Sequence, residues 1–512
     1  MFHTFGYDNR SHQLLIASKV YSDFASHIPL IRSFSVGVNW PPQYPLYPGE
    51  KIRYHFLFYA FTGLLEKSGL RIDLALNLLS ALGFLCLCLL ILIFAARLFS
   101  SLSVGLLSLL FFLFNGSLSV VDFIKNTPFS FRLLDRLIHL ENFVSFGPWN
   151  GSPVTAFWNL NIYTNQRHLG LSFALVLLIF IILVFPARKL LPFIGFMLGS
   201  LLFLNQAAIL PALIIIGWMF IIEKHLRLPL VFSAMGFLPW YFLSRLLLNL
   251  SPQIGFQPGY LISGPLTVFS FVRFWFLNLG LHLFLIPAGL FLAPRRIRRI
   301  LLLPLLLLFI TPNLLRFSPD MINNHKIFNF FLIIGSPLSA FTLSRIWRLG
   351  RLGKTVSVLL CLILISGGVV DFFPVKNDYY VRISDVAGNP DAAFFAGHTP
   401  PDAVILNSTW LYHPASLAGR PVFNGYSYFT WSYGYDQSGR ENTTIAIYAS
   451  RSKLAACRLL VANHISYVEL SPRHESFLQP DFGFWQSAFT RVYDDPASGL
   501  SVYSVNRSCQ SL

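Results

Sequence analysis

The sequence predicts an α-helical polytopic membrane protein, with about ten transmembrane helices, interfacial helices and a small C-terminal α/β domain outside the cytoplasm. Three observations predict it. Of 512 residues, 54% are hydrophobic and only 12% charged, about half the ~25% charge of soluble domains. About ten apolar runs of membrane-crossing length recur before residue 373. Beyond residue 374 the apolar runs shorten and turn signals interrupt them.

The runs fall at 75–96, 102–121, 169–186, 190–205, 206–222, 228–248, 268–292, 300–316, 327–345 and 355–373. Several lie near the lower limit of about 17 residues. The connections between them sort by charge. One set carries Arg97; Arg188 and Lys189; Lys224 and Arg227; Arg295, Arg296, Arg298 and Arg299; and Arg345, Arg348, Arg351 and Lys354. The alternate set is longer, richer in Trp, Tyr, Pro and acids, and poorer in base. Cytoplasmic loops hold the excess of Lys and Arg, so the first set faces inward. The net charge of +16 then reads as membrane topology, with no nucleic-acid partner.

The outward segments are the leader 1–54, the loops 122–168, 249–267 and 317–326, and the tail from 374. With both ends outside, the topology implies an earlier inside-to-outside span that this sequence does not contain. Residues 1–20 lack the apolar core of a signal peptide. The stretch 54–66 is too short to cross and reads as an interfacial or re-entrant helix. The chain divides into an outer leader (1–66), a transmembrane helical domain (67–373) and a soluble extracytoplasmic α/β domain (374–512).

In the tail, 404–406, 467–470 and 500–505 read as strands and 451–463 as an amphipathic helix. Cys457 and Cys509 are able to pair if the tail faces an oxidising space. Trp410, Tyr412, Tyr426, Tyr428, Phe429, Trp431, Tyr433 and Tyr435 form a dense aromatic run, suited either to stacking on an acceptor glycan or to docking on the membrane domain.

The chemistry-bearing residues concentrate in the outward segments. Asp23 and His27 lie one helical turn apart, so a helix would put them on one face. The amphipathic stretch 28–36 suits the membrane interface. Then come a Pro- and Tyr-rich loop and the edge residues Tyr54 and His55. Asp122 sits where a span ends. Gln166, Arg167 and His168 open the next one from outside. The loop 317–326 crowds Asp320, Asn323, Asn324, His325 and Lys326 ahead of a late span. Two readings fit Lys326: snorkelling to the interface, or holding a phosphate beside His325. Arg273, Asn278 and His282 are polar groups inside one apolar run. No phosphate-cradling Gly-rich loop, His-Glu-x-x-His or Gly-x-Ser-x-Gly motif occurs.

Taken in order, these strings resemble the GT-C-type polytopic membrane glycosyltransferases, which include protein O-mannosyltransferases and aminoarabinose transferases. The resemblance is carried by Ser22, Asp23, Phe24 and His27; by 33–39; by Tyr54 and His55; by Gln166, Arg167 and His168; and by Asn324, His325 and Lys326. It covers most of the chain, except the family's usual first transmembrane span. The resemblance implies transfer of a hexosyl or pentosyl sugar from a polyprenyl-phosphate carrier to a glycan, lipid or protein acceptor on the outer face of the cell membrane. It also implies inversion by a single displacement.

Within that frame Asp23 is the catalytic base. Lys326, His325 and His55 hold the departing phosphate with Arg167 in support, and Asp122 orients the acceptor or a partner base. His27, Tyr54, His168 and Asp320 complete the substrate-binding set. A divalent cation fits where Asp23 and Asp122 converge, although carboxylates with spare His and Lys do not require one. Asp23, Asp122, His325 and Lys326 are expected to line one outward cavity. The rival readings are a lipid or polysaccharide transporter, and a non-catalytic scaffold that binds envelope polymer through its tail.

Overall fold

The computed structural model describes residues 1–114, 117–127, 132–145, 158–187, 189–250 and 253–510. Arg188 and parts of the loop 122–168 lie outside the described residues. Two leader strands, β1 (Phe5–Asp8) and β2 (Gln13–Ala17), precede α1 (Tyr21–Ser35) and α2 (Leu57–Lys67). Next come α3 (Ile72–Leu98), α4 (Leu102–Leu113), α5 (Ser119–Asn126), α6 (Leu133–Ile138), α7 (Asn161–Asn165), α8 (Leu169–Val184), α9 (Phe193–Leu204) and α10 (Ile209–Ile222). The series ends with α11 (Arg227–Leu247), α12 (Val268–Leu279), α13 (His282–Leu292), α14 (Arg295–Leu314), α15 (His325–Trp347) and α16 (Gly350–Lys376).

Helices occupy all ten apolar runs, but they are not ten uniform spans. Among the described residues, α3, α11, α14, α15 and α16 are long and apolar enough to cross a membrane, counting the turns that lead into α11 and α15. The run 268–292 is broken: α12 and α13 meet at 87°. Gly280, at φ +54°, ends α12 in a conformation that a side chain disfavours. The helices α4 and α9 have 12 residues each, and twelve residues rise only about 18 Å against a hydrocarbon core of ~30 Å.

The leucines explain how these helices sit. On α3, Leu74, Leu78, Leu82, Leu85, Leu89 and Ile93 are exposed at steps of three or four residues, one continuous apolar stripe suited to lipid. Its opposite face approaches α8 closely, because a Cβ on Gly83 would stand 2.8 Å from Leu171 Cβ. By contrast α15 is buried almost throughout, 89% over its apolar window. It packs on α4, α13, α14 and α16, and its first residues are His325 and Lys326. Basic residues at the helix ends find partners on neighbouring helix ends: the Arg97 guanidinium lies 4.5 Å over the Phe185 ring, and Arg299 pairs with Glu223 at 2.7 Å.

The tail folds onto the leader. Of the strands, β3 (Gly255–Phe256) and β4 (Leu315–Arg316) form a short ladder, while β5 (Tyr380–Ser384) pairs antiparallel with β2 to give the sheet β1-β2-β5. The strands β6 (Val404–Leu406), β7 (Ile465–Leu470), β8 (Thr490–Asp495) and β9 (Leu500–Ser504) form a second sheet, ordered β6-β7-β9-β8, with only β6 and β7 parallel. Around it lie α17 (Pro390–His398), α18 (Pro414–Leu417), α19 (Ser427–Ser432), α20 (Gln437–Tyr448) and α21 (Lys453–Ala462). Cys457 on α21 is bonded to Cys509.

One difference from the sequence reading bears on the site. Instead of lying at an interface, α1 is enclosed, with every residue from Phe24 to Ser33 buried. It is flanked by α2 and by α18 of the tail. Arg32 ties α1 to α2 and to the residue that follows β5: its Nε lies 3.1 Å from Glu66, and its Nη2 lies 2.9 Å from Asp385. Gly37 and Gly419 sit so close that a Cβ on Gly37 has no room beside the Gly419 carbonyl. The apolar face that suggested an interfacial helix is satisfied by protein.

Candidate active site

The first turn of α1 is pinned before the helix begins. Asp378, just ahead of β5, accepts from the Ser18 hydroxyl at 2.6 Å, the Lys19 amide at 2.8 Å and Lys19 Nζ at 3.0 Å. Asp23 therefore starts α1 at a fixed place, where the helix dipole favours a carboxylate. It faces a cavity of about 530 Å³, whose lining includes Asn161, Gln166, Asn323, His325 and Tyr428. Asp23 is only partly exposed to that cavity. Burial pushes its carboxyl up to about 6, while the charge of Lys326 pulls the other way.

A second cavity, about 380 Å³, is lined by Lys326, His55, Tyr54, Arg53 and Gln253, and on its apolar side by residues such as Leu202, Ile209, Leu210 and Ile254. Asn323 lines both cavities. It also accepts a hydrogen bond from Lys326 Nζ at 3.3 Å. Lys326 thus stands at the wall between a carboxylate chamber and a chamber that combines cations with aliphatic surface.

The wall of the second chamber is a stack of rings. Tyr54 lies 3.8 Å from His55 and 4.2 Å from Tyr433 of the tail, centroid to centroid. The Nε2 atoms of His55 and His168 are 2.9 Å apart, and the Tyr59 hydroxyl lies 3.0 Å from His168 Nδ1. His27 stacks on Tyr59 at 4.7 Å, and its Nδ1 has no hydrogen-bond partner. Burial first, and then the charges of Arg167 and Lys326, push His27 down to about 3, so it is a neutral ring.

The remaining predicted residues separate. Asp320 accepts from the Ile322 amide at 3.0 Å and from the Tyr428 hydroxyl at 2.8 Å, so it braces the loop that delivers His325 and Lys326. Arg167 is fully engaged by protein: Nε donates to the Thr164 carbonyl, Nη1 to Asn77 and Nη2 to Thr4. That use ties α7 and α3 to the leader and leaves the guanidinium turned from both chambers' linings. Asp122 sits on α5, which packs on α16, and does not line the Asp23 cavity. The expected single cavity is therefore two adjoining ones, holding Asp23 with His325 and Lys326 with His55. Among the described residues no cluster of three or more His, Cys, Asp or Glu gathers as for a metal ion. His282 is buried against the Ser339 hydroxyl at 2.9 Å, away from both chambers.

Sequence reasoning missed Tyr59, and it named Tyr428 and Tyr433 only as part of the tail's aromatic run, without a place at the Asp23 or Lys326 chamber. Each is one tyrosine among 20, and only the docked tail brings Tyr428 to the Asp23 cavity and Tyr433 onto Tyr54.

No family model and no curated protein matches the sequence. Among solved structures the chain is similar to the archaeal oligosaccharyltransferase AglB from Archaeoglobus fulgidus, in complex with an inhibitory peptide and a dolichol-phosphate. That likeness has 12% identity over 96% of this chain and 71% of that one, with a TM-score of 0.49. The chain is also similar to ArnT from Cupriavidus metallidurans in the apo state, with 11% identity over 94% of this chain and 93% of that one, and a TM-score of 0.48.

Proposed function

We propose that this protein is a membrane glycosyltransferase that moves a sugar from a polyprenyl-phosphate carrier to an acceptor hydroxyl at the outer face of the membrane. The observation that carries the reading is the pair of adjoining chambers. One offers a carboxylate, and the other offers Lys326 and His55 beside aliphatic wall, as a lipid-borne phosphate needs. Lys326 acts electrostatically on Asp23 across the wall they share.

The acceptor hydroxyl attacks the anomeric carbon and gives its proton to Asp23. The bond from that carbon to the phosphate oxygen breaks, and the carrier leaves as polyprenyl phosphate. Lys326 supplies a point charge for the departing oxygens and His55 a hydrogen bond, and enclosure strengthens both. One displacement inverts the anomeric centre. The engaged donors of Arg167 and the position of Asp122 argue against roles for these two at the reacting atoms. The Cys457–Cys509 disulfide supports a tail in an oxidising space outside the cytoplasm.

The test is incubation of the purified protein with labelled polyprenyl-phosphate sugars and membrane extract. Transfer by the wild type, abolished in Asp23→Asn with folding intact, supports the enzyme. A wild-type protein that moves no label, or an Asp23→Asn variant as active as wild type, defeats it.

A further inference from the structure

Two independent features of the Asp23 cavity point to the class of acceptor. The first is the chemistry of its wall. Asn142, Asn161, Asn165, Gln166 and Asn323 all line it, and the Gln166 Oε1 atom is buried with no hydrogen-bond partner. A side-chain amide offers donors and an acceptor together, the complement of a hydroxyl group, which is also both. The cation Lys19 is already paired with Asp378 at 3.0 Å. Such a wall suits a neutral molecule with many hydroxyls better than an anion.

The second feature is a run of rings that leads outward from Tyr428, itself part of the cavity lining. Trp431 lies 6.1 Å and Tyr426 6.4 Å from Tyr428, Trp410 lies 5.6 Å from Tyr426, and Phe477 lies 5.2 Å from Trp410. Other rings of the tail are consumed in docking, as Tyr433 is on Tyr54 and Tyr435 on Tyr47 at 4.5 Å. Tyr428 and Trp431 instead remain 42% and 45% exposed, and Trp410 and Tyr426 are half-buried. Exposed aromatic faces next to a few convergent polar groups make a ligand site. A sugar presents both matching surfaces, a C–H face for the rings and a hydroxyl edge for the amides.

We propose that the acceptor is a neutral glycan several residues long, lying across Trp410, Tyr426, Tyr428 and Trp431 with its reacting hydroxyl at Asp23. This rests on the transferase reading above and names the acceptor which that reading left open. The glycan's hydroxyl proton goes to Asp23, its oxygen forms the new bond to the anomeric carbon, and the carrier phosphate leaves with the electron pair of the broken bond.

The experiment uses the full chain in lipid nanodiscs, titrated with maltohexaose, mannohexaose and chitohexaose while tryptophan fluorescence is followed. Saturable binding of at least one hexasaccharide is expected, weakened about tenfold or more in Trp431→Ala and in Trp410→Ala. Both tryptophans are at least partly exposed, so their loss leaves the fold intact, which a thermal unfolding curve checks. Binding of none of the three sugars, or binding unaffected by both tryptophan changes, overturns the proposal. If label from the donor passes to a peptide or a lipid and Asp23→Asn blocks it, the transferase stands and the glycan acceptor falls. Ring-dependent glycan binding with no sugar transfer upholds the platform and defeats the transferase.

Discussion

His55 and His168 face each other nitrogen to nitrogen, their Nε2 atoms 2.9 Å apart inside the protein. Such a contact needs one ring to donate and the other to accept, so at least one of them is neutral. Burial, chiefly, holds both well below the ordinary histidine range. His27, pushed to about 3, belongs with them.

Stability therefore falls in acid. Below about pH 6.5 the unfolded chain takes up protons that these three folded rings refuse, and each such proton costs about 1.4 kcal/mol per pH unit. Asp23 works the other way: its folded value near 6 lets the native state bind a proton that the unfolded chain releases down to about pH 4. One of the three proton effects is thereby offset between about pH 6 and 4. The expected unfolding temperature is level from pH 8 to 7 and declines below about 6.5. A level curve down to pH 5 would contradict the neutral pair.

Asp23→Asn should lower sugar transfer by roughly 10²–10⁴-fold, the usual contribution of a general base. Because Asp23 borders a cavity, thermal unfolding should change little. In the wild type the rate should rise through about pH 6 as the carboxyl ionises, reaching a plateau above it. The rate left in the variant should lack that limb.

Lys326→Met removes the charge that draws the Asp23 carboxyl downward. The acid limb of the rate profile is expected to move above pH 6, and the KM for the lipid-phosphate donor should increase. A limb that stays in place would mean that the two residues do not sense each other.

Arg32→Met strips two buried carboxylates, Glu66 and Asp385, of their shared partner. Breaking a buried pair in this way costs about 3–5 kcal/mol. Thermal unfolding should show the loss, and adding Glu66→Gln and Asp385→Asn to the variant should restore part of it.

The sequence's legibility followed the range of the forces involved. Apolar runs and basic loops are local signals, and helices formed at each of the ten runs. The break at Gly280 and the shortness of α4 were not legible from hydropathy, which averages over a window and sees neither a positive φ nor a helix end. For α1, an apolar face on a helix is the same pattern whether lipid or protein covers it, and here α2 and α18 cover it. The position of His325 and Lys326 at the start of a late apolar helix was legible, because it follows from the local change from polar loop to apolar run. Arg167 was misleading, because a buried guanidinium that binds Thr4, Asn77 and Thr164 has the same sequence context as one that binds phosphate.

By itself, then, the sequence determined which segments become apolar helices and which residue types crowd the loops between them, because both depend on neighbours along the chain. Tertiary structure alone decided that Asp23 and Lys326 border adjoining chambers instead of sharing one, that Asp122 stands elsewhere, and that Tyr428 and Tyr433 join the site from the tail. Those outcomes depend on through-space packing between residues hundreds of positions apart, and the sequence holds no periodic signal for such contacts.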